Sequence, residues 1–385
     1  MTAKRSILFF CIACIAILLL FGLEIRVSAE EVTEEKIAED FSALTEYLGE
    51  EERELLSEEI FSGDLDKTKN AVTEMLTPVG LFSIIETLSA NVLQDAIRLL
   101  ASLCGLLLLA AVLGALKNSF GGAALSGAID FLIGAAIFAA ILSYQYRYLF
   151  ATQEMLRRLS SLMGAMIPIA GSVWAMGGNL STASVGSASM YAFLTVTQRI
   201  VGQTVVPVCS FCMAAALCQS IGADASLRGI TSAIKKTYTF ILGLVMTVLL
   251  ASLSASTALS AAADSVSART AKLVFATVIP TVGGSIGETL RTVAASVSLL
   301  KNVVGIGGIL LVVLLVLPTV LSLVATRLVF LLVSGLAEIL GCEKEGKLLG
   351  ELGGVFGCLL AVSAMSGVMF ILALTIFVKS AVAIA

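Results

Sequence analysis

The chain has 385 residues, 58% apolar and 14% charged, with a mean hydropathy of +1.01, which excludes an ordinary soluble domain and points to a membrane protein. Its 24 basic and 28 acidic residues leave a net charge of −4, which excludes a nucleic-acid binder that neutralises phosphates with a basic face. No histidine occurs, so the usual general base, the commonest metal ligand and Ser-His or Cys-His nucleophile activation are all missing. The expectation is therefore a protein without catalytic, cofactor-binding or metal-ligating residues.

In chain order, Lys4 and Arg5 precede an apolar run from Ile7 to Leu23, and Val27-Ser28-Ala29 offers the small residues a signal peptidase reads. Residues 1–29 read as a cleaved signal peptide, with a retained anchor as the alternative because the run is near the lower limit for spanning. Either way the chain from Glu30 onward lies outside the cytoplasm. Residues 30–98 form an acidic extracytoplasmic helical region: between 30 and 76 there are 16 acidic and 4 basic side chains. Within it Ile37, Phe41, Leu44 and Leu48 recur at helical spacing, giving one apolar stripe on a Glu-rich helix. That stripe is either the inner seam of a solvated helix pair or a docking surface for an extracytoplasmic partner.

Residues 99–385 read as an all-α, polytopic membrane bundle. Uncharged or nearly uncharged windows place spans at about 99–116, 127–146, 200–222, 238–258, 303–326 and 352–378, each near the length that crosses a bilayer. Between Arg158 and Arg199 an uncharged window is interrupted by Pro168 and by the small, polar run at 177–189, so a single span does not describe it.

An internal repeat of about 110 residues organises this domain. Phe131-Leu-Ile-Gly134 returns as Phe240-Ile-Leu-Gly243, Ile167-Pro168 with Gly171 as Ile279-Pro280 with Gly283, Pro207 as Pro318, and Arg157 as Arg269, with order kept throughout. Each unit holds a span, a polar helical arm, a short Ile-Pro segment (about 163–178 and 274–287) and a second span. At about 1.5 Å per residue the Ile-Pro segments fall short of a hydrocarbon core of about 30 Å. They are expected to be re-entrant or broken helices, with kinked helices packed through small residues as the alternative. Paired interruptions at matching places in two halves are a pointer to a mid-membrane path.

Candidate pathway or packing residues are thus Asp130, Pro168, Gly171, Pro280, Gly283 and Glu288, because charge or irregular backbone at membrane depth must face protein or water. Arg199, Arg327 and Glu338, near span ends, are expected to snorkel or cap. Arg157, Arg158, Arg269 and Lys272 on the two arms are candidate interfacial residues at phosphate headgroups. The eight cysteines, Cys11, Cys14, Cys104, Cys209, Cys212, Cys218, Cys342 and Cys358, imply no disulfide framework. Cys209-x-x-Cys212 with Cys218 supplies too few ligands for tetrahedral zinc and reads as small apolar filler.

The stretch Ser267-Ala268-Arg269-Thr270-Ala271-Lys272, then Val278-Ile279-Pro280-Thr281-Val282-Gly283-Gly284, then Leu299-Leu300-Lys301-Asn302-Val303-Val304-Gly305 resembles the stage III sporulation protein AE family of endospore-forming bacteria. The signal peptide, acidic start and multispan remainder resemble that family's layout too. The resemblance implies a component of the secretion-like complex that joins mother cell to forespore, placed in the mother-cell-derived (outer forespore) membrane and supporting forespore development and late forespore gene expression. It also implies as partners the other proteins of the stage III A complex, including its ATPase and intermembrane ring proteins, and the forespore channel protein. It brings no catalytic residues and no cofactor. Beyond the lipid bilayer and these proteins no partner is expected, and no nucleic acid.

Two function classes follow: a conduit or transport component, suggested by the duplicated interruptions, and a non-conducting scaffold; an unrelated permease is the third reading. If the acidic region is extracytoplasmic, protease added to protoplasts should remove it. Full protection of an epitope placed in residues 30–76 would reverse the topology.

Overall fold

A computed structural model describes residues 39–40, 43–56, 65–120, 123–220, 226–278 and 283–379. Among the described residues the fold is helical and contains no strand. After a 3-10 turn at Leu44–Tyr47 come α1 (Glu50–Glu54), α2 (Leu65–Met75), α3 (Pro78–Phe120), α4 (Ala123–Met176), α5 (Leu180–Thr197), a π-helical turn at Gln198–Gly202, α6 (Gln203–Ser220), α7 (Ser226–Val278), α8 (Gly283–Ile339) and α9 (Glu343–Lys379).

Among the described residues six stretches are long and apolar enough to cross a membrane: Pro78–Ala115, Tyr146–Met176, Ser181–Ala216, Gly229–Val266, Ala295–Ile339 and Glu343–Lys379. Five overlap expected spans. On α4 the described stretch is 146–176, and the expected span at 127–146 falls mostly on side chains outside the described residues; the polar arm and the short Ile-Pro segment expected after it are not separate elements. Instead α4 is one helix of 54 residues with Pro168 inside it, roughly 80 Å long. Its arm is rich in helix formers, and Glu154 pairs with Arg157 at 2.8 Å and with Arg158 at 2.9 Å, at three- and four-residue spacing, so nothing interrupts it. A rod of that length cannot return both apolar runs to one hydrocarbon layer of about 30 Å. The 146–176 stretch is the most protein-covered of the six, 61% buried over its most apolar window.

The break after α4 comes at a tight turn. Gly178 adopts φ 75°, its N–H donates to the Ala175 carbonyl at 3.0 Å, and that of Asn179 to the Trp174 carbonyl at 3.0 Å. This pair of bonds is a Schellman cap, and the positive φ explains the glycine. The same device closes α8, where Gly341 has φ 73° and the Cys342 N–H reaches the Ala337 carbonyl at 2.8 Å. Burial, and then nearby Glu345, push the Cys342 thiol above its usual range.

α3 starts at Thr77, whose hydroxyl accepts from the Gly80 N–H at 3.2 Å, with Pro78 at the first helical position. It then runs without a break through residue 99, where composition places the start of the membrane domain. The acidic region is also not a separate body. Leu44, Leu48, Leu56, Ala71 and Val72 are buried in the same core as the long helices, the 3-10 turn against α4 and α2 against α8. Leu44 and Leu48, read as partner-binding positions, are thus occupied within the chain, since burying two leucines on a helix already present removes apolar area from water without a second protein. Ile37 and Phe41 of that stripe lie outside the described residues, as does the 1–29 signal segment.

α7 carries a buried acid that organises α5. Asp264 accepts from the Ser181 N–H at 2.9 Å and, through its other oxygen, from the Thr182 N–H and hydroxyl, both at 2.7 Å. These amides open α5 and have no partner within the helix, and the positive end of the helix dipole favours the carboxylate. Asp264→Ala should therefore cost about 2 kcal/mol, the upper range for a lost cap with buried donors. Thermal unfolding of the detergent-purified protein should show it, whereas Ser184→Ala, on the exposed side of α5, should leave the midpoint unchanged.

Candidate functional site

The chain between α5 and α6 winds as a π-helix over Gln198–Gly202 in the middle of the apolar 181–216 stretch. A π turn widens the helix and shifts carbonyls off their normal partners. Thr204 takes up one of them: its hydroxyl bonds the Ile200 carbonyl and also meets the Tyr238 hydroxyl of α7 at 2.8 Å. Thr197, just before the turn, donates to the Met246 sulfur of α7 at 3.7 Å.

Against this turn lies a cavity of about 360 Å³ walled by α4, the π turn, α6 and α9. Gln153, Arg157, Arg199 and Gln203 form its exposed rim, and Ser160, Thr197 and Ser366 its buried floor. Ser366 is 1% exposed, and its hydroxyl has no hydrogen-bond partner among the described residues. An unpaired buried hydroxyl costs about 1–3 kcal/mol, so a polar occupant of this cavity would find a ready partner there. Two guanidinium groups on the rim make the cavity electropositive. Arg157 shares Glu154 with Arg158, whereas Arg199 has no carboxylate partner among the described residues.

Arg157 and Arg158, expected at headgroups, lie on the continuous α4, Arg157 on the cavity rim. Arg158 lies against the acidic region, its Nη1 3.3 Å from where a Cβ on Gly49 would sit. Pro168 is exposed on an unbroken helix, so it marks no interruption; the interruption in this unit is the π turn. Interior prolines are tolerated in membrane helices where neighbouring segments re-satisfy the freed backbone groups. Gly171 is a packing position: a Cβ there would come within 2.8 Å of the Ser187 hydroxyl of α5.

Asp130 lies on α4, Arg269 and Lys272 on α7, and Gly283 and Glu288 on α8, but their side chains are outside the described residues, as is Pro280 entirely. The cavity therefore gathers Arg157 and, from the span-end charges, Arg199, and leaves out Pro168 and Gly171. Sequence reasoning missed Gln153, Thr197, Gln203 and Ser366. A usable signal was present in Thr195-Val-Thr-Gln-Arg199, a polar cluster inside an apolar stretch.

Cys209 and Cys212 are buried and Cys218 is exposed. Among the described residues no three of His, Cys, Asp and Glu gather in a way that could hold a metal ion.

The family described as Stage III sporulation protein AE matches residues 66–381. The chain belongs to that family. A stage III sporulation protein AE of Bacillus subtilis (strain 168) is 22% identical over 359 residues, covering 90% of this chain and 89% of that protein. No solved structure matches the chain. Membership in the stage III sporulation protein AE family fixes a sporulation role, and the match spans the cavity-forming helices α4 to α9 entire.

Single cysteines at Gln153 and Gln203, in a protein stripped of native thiols, should react with a membrane-impermeant maleimide. Cysteines at Val312 and Leu314, each 0% exposed, should not. Equal inertness would mean that the cavity is closed to water.

Proposed function

We propose that this protein is the membrane component of a secretion- or channel-like complex joining mother cell to forespore, and that the cavity at the π turn is part of its path. The observation that carries the reading is Ser366, a buried hydroxyl without a partner among the described residues, facing a cavity whose rim carries Arg157 and Arg199. Polar lining at this depth is expensive in lipid and is typical of a route for solute or water. On this reading the protein is non-catalytic and sits in the mother-cell-derived membrane. There it works with the other stage III A proteins, their ATPase and ring proteins, and the forespore channel protein, to sustain late forespore gene expression.

The π turn supports this reading through mechanics as well as chemistry. A widened turn between two half-helices is a place where α5 and α6 can move relative to each other with little loss of hydrogen bonding, as broken helices in transport proteins do.

The test is made in a sporulating strain that carries this chain in place of its own copy. Arg199→Gln and Ser366→Phe should lower a late forespore reporter toward the level of a strain lacking the protein, while membrane-fraction abundance stays at wild-type level. A non-conducting scaffold would keep the reporter at wild-type level with Arg199→Gln, which changes an exposed side chain and no packing. That outcome would replace the conduit with the scaffold.

A further inference from the structure

A second concentration of charge lies away from the cavity, where α7, α8 and α9 meet. Lys235 of α7 reaches Glu351 of α9, Nζ to Oε2 3.0 Å, with the two side chains only 15% and 13% exposed. One turn further along α9 two glycines make a trough. A Cβ on Gly354 would lie 2.6 Å from the Lys235 Nζ, and one on Gly357 would lie 3.2 Å from the guanidinium carbon of Arg327 on α8. Any larger residue at either place would push a cation out of the position it holds. The result is a cleft of about 570 Å³ lined by Ser232, Lys235, Lys236, Thr239, Arg327 and Cys358 among others.

Among the described residues the charges of this cleft do not balance. Glu351 is engaged by Lys235, and among the described residues neither Lys236 nor Arg327 has a carboxylate partner. Both side chains are exposed and line the same cleft, and on the flank of apolar helices two neighbouring cations favour an anion between them. The surroundings indicate where that anion comes from. On one side lies the polar tip of the α8–α9 hairpin, with Glu338, Glu343, Lys344, Glu345 and Lys347. On the other lies an open apolar face of α7, where Phe240, Ile241 and Leu244 are 70%, 52% and 49% exposed. Charged tip, basic cleft and apolar face follow one another along the bundle as water, headgroup and hydrocarbon do across a leaflet.

We propose that this cleft binds a phosphate group, that of an anionic lipid headgroup, between Lys236 and Arg327. The Ser232 hydroxyl and the buried Lys235–Glu351 pair shape the site, and the acyl chains lie on the Phe240 face. A soluble phosphate ester offers the same group to the same cations but has nothing to place on that apolar face.

The full-length protein in detergent, titrated with phosphatidylglycerol or phosphatidylcholine of matched chains and read by native mass spectrometry, tests this. Wild type should retain phosphatidylglycerol over phosphatidylcholine, and the preference should fall about fivefold for each cation removed in Lys236→Gln and Arg327→Gln, the factor one basic residue contributes at an anionic surface. Lys236→Arg with Arg327→Lys should keep it, which separates loss of charge from loss of fold, and Lys236→Gln alone changes only an exposed side chain. A second arm adds glycerol phosphate without acyl chains. If it displaces phosphatidylglycerol at comparable concentration, the phosphate chemistry stands and the natural source is soluble; if it does not, the source is the lipid. Equal retention of both lipids by wild type, or an undiminished preference in the double Gln variant, overturns the site.

Discussion

Close approach of helix backbones is the constraint from which most of this structure follows. Lipid tails are as apolar as leucine, so helices in a bilayer gain little by hiding apolar surface from each other and must gain by dispersion contact, which demands short distances. α8 and α9 meet this demand along their length through small residues. A Cβ on Gly353 would stand 3.1 Å from Phe330, one on Gly367 3.0 Å from Val316, and one on Gly346 3.2 Å from the Ser334 carbonyl. Closeness then lets the aromatics lock, with Phe330 stacked on Phe356 at 5.1 Å and Tyr148 of α4 edge-on to Phe356 at 5.6 Å. At the other end Trp174 meets Phe377 at 5.1 Å. The hairpin of α8 and α9 thus forms a spine on which α3, α4, α6 and α7 are laid.

Polar groups inside such a bundle have few permitted states. Asp264 is stable where it is because three donors at the start of α5 surround it, and Lys235 because Glu351 meets it. Ser366 stands outside this scheme, and it stands at a cavity. Thr152, Ser187, Thr326 and Ser363 are likewise buried without a partner among the described residues, and of the five only Ser366 lines the cavity.

How much of this was readable in the sequence depends on the range of the forces involved. Apolar windows gave the helical class and five of six apolar stretches, because the cost of exposing backbone in hydrocarbon acts on composition alone. Pro207 and Pro318, matched in the expected repeat, each lie inside a helix, α6 and α8. Pro168 misled because a proline's effect on a helix depends on what its neighbours can supply, which is tertiary information. Leu44 and Leu48 misled for a related reason: an apolar stripe shows that something covers it, and only the fold shows that the cover is α4. The π turn carries no periodic signal at all, since one extra residue in a turn leaves hydropathy unchanged.

The unbroken course of α4 brings one further consequence. Residues 153–158 of this helix supply Gln153 and Arg157 to the cavity rim, while Glu154 ties Arg157 to Arg158 and Arg158 rests against Gly49 of the acidic region. Cavity and acidic region therefore share less than two turns of a stiff rod and one carboxylate. Were a ligand of the cavity and a contact on the acidic side each to shift that stretch, thermodynamic reciprocity would make each change the other's affinity by the same factor.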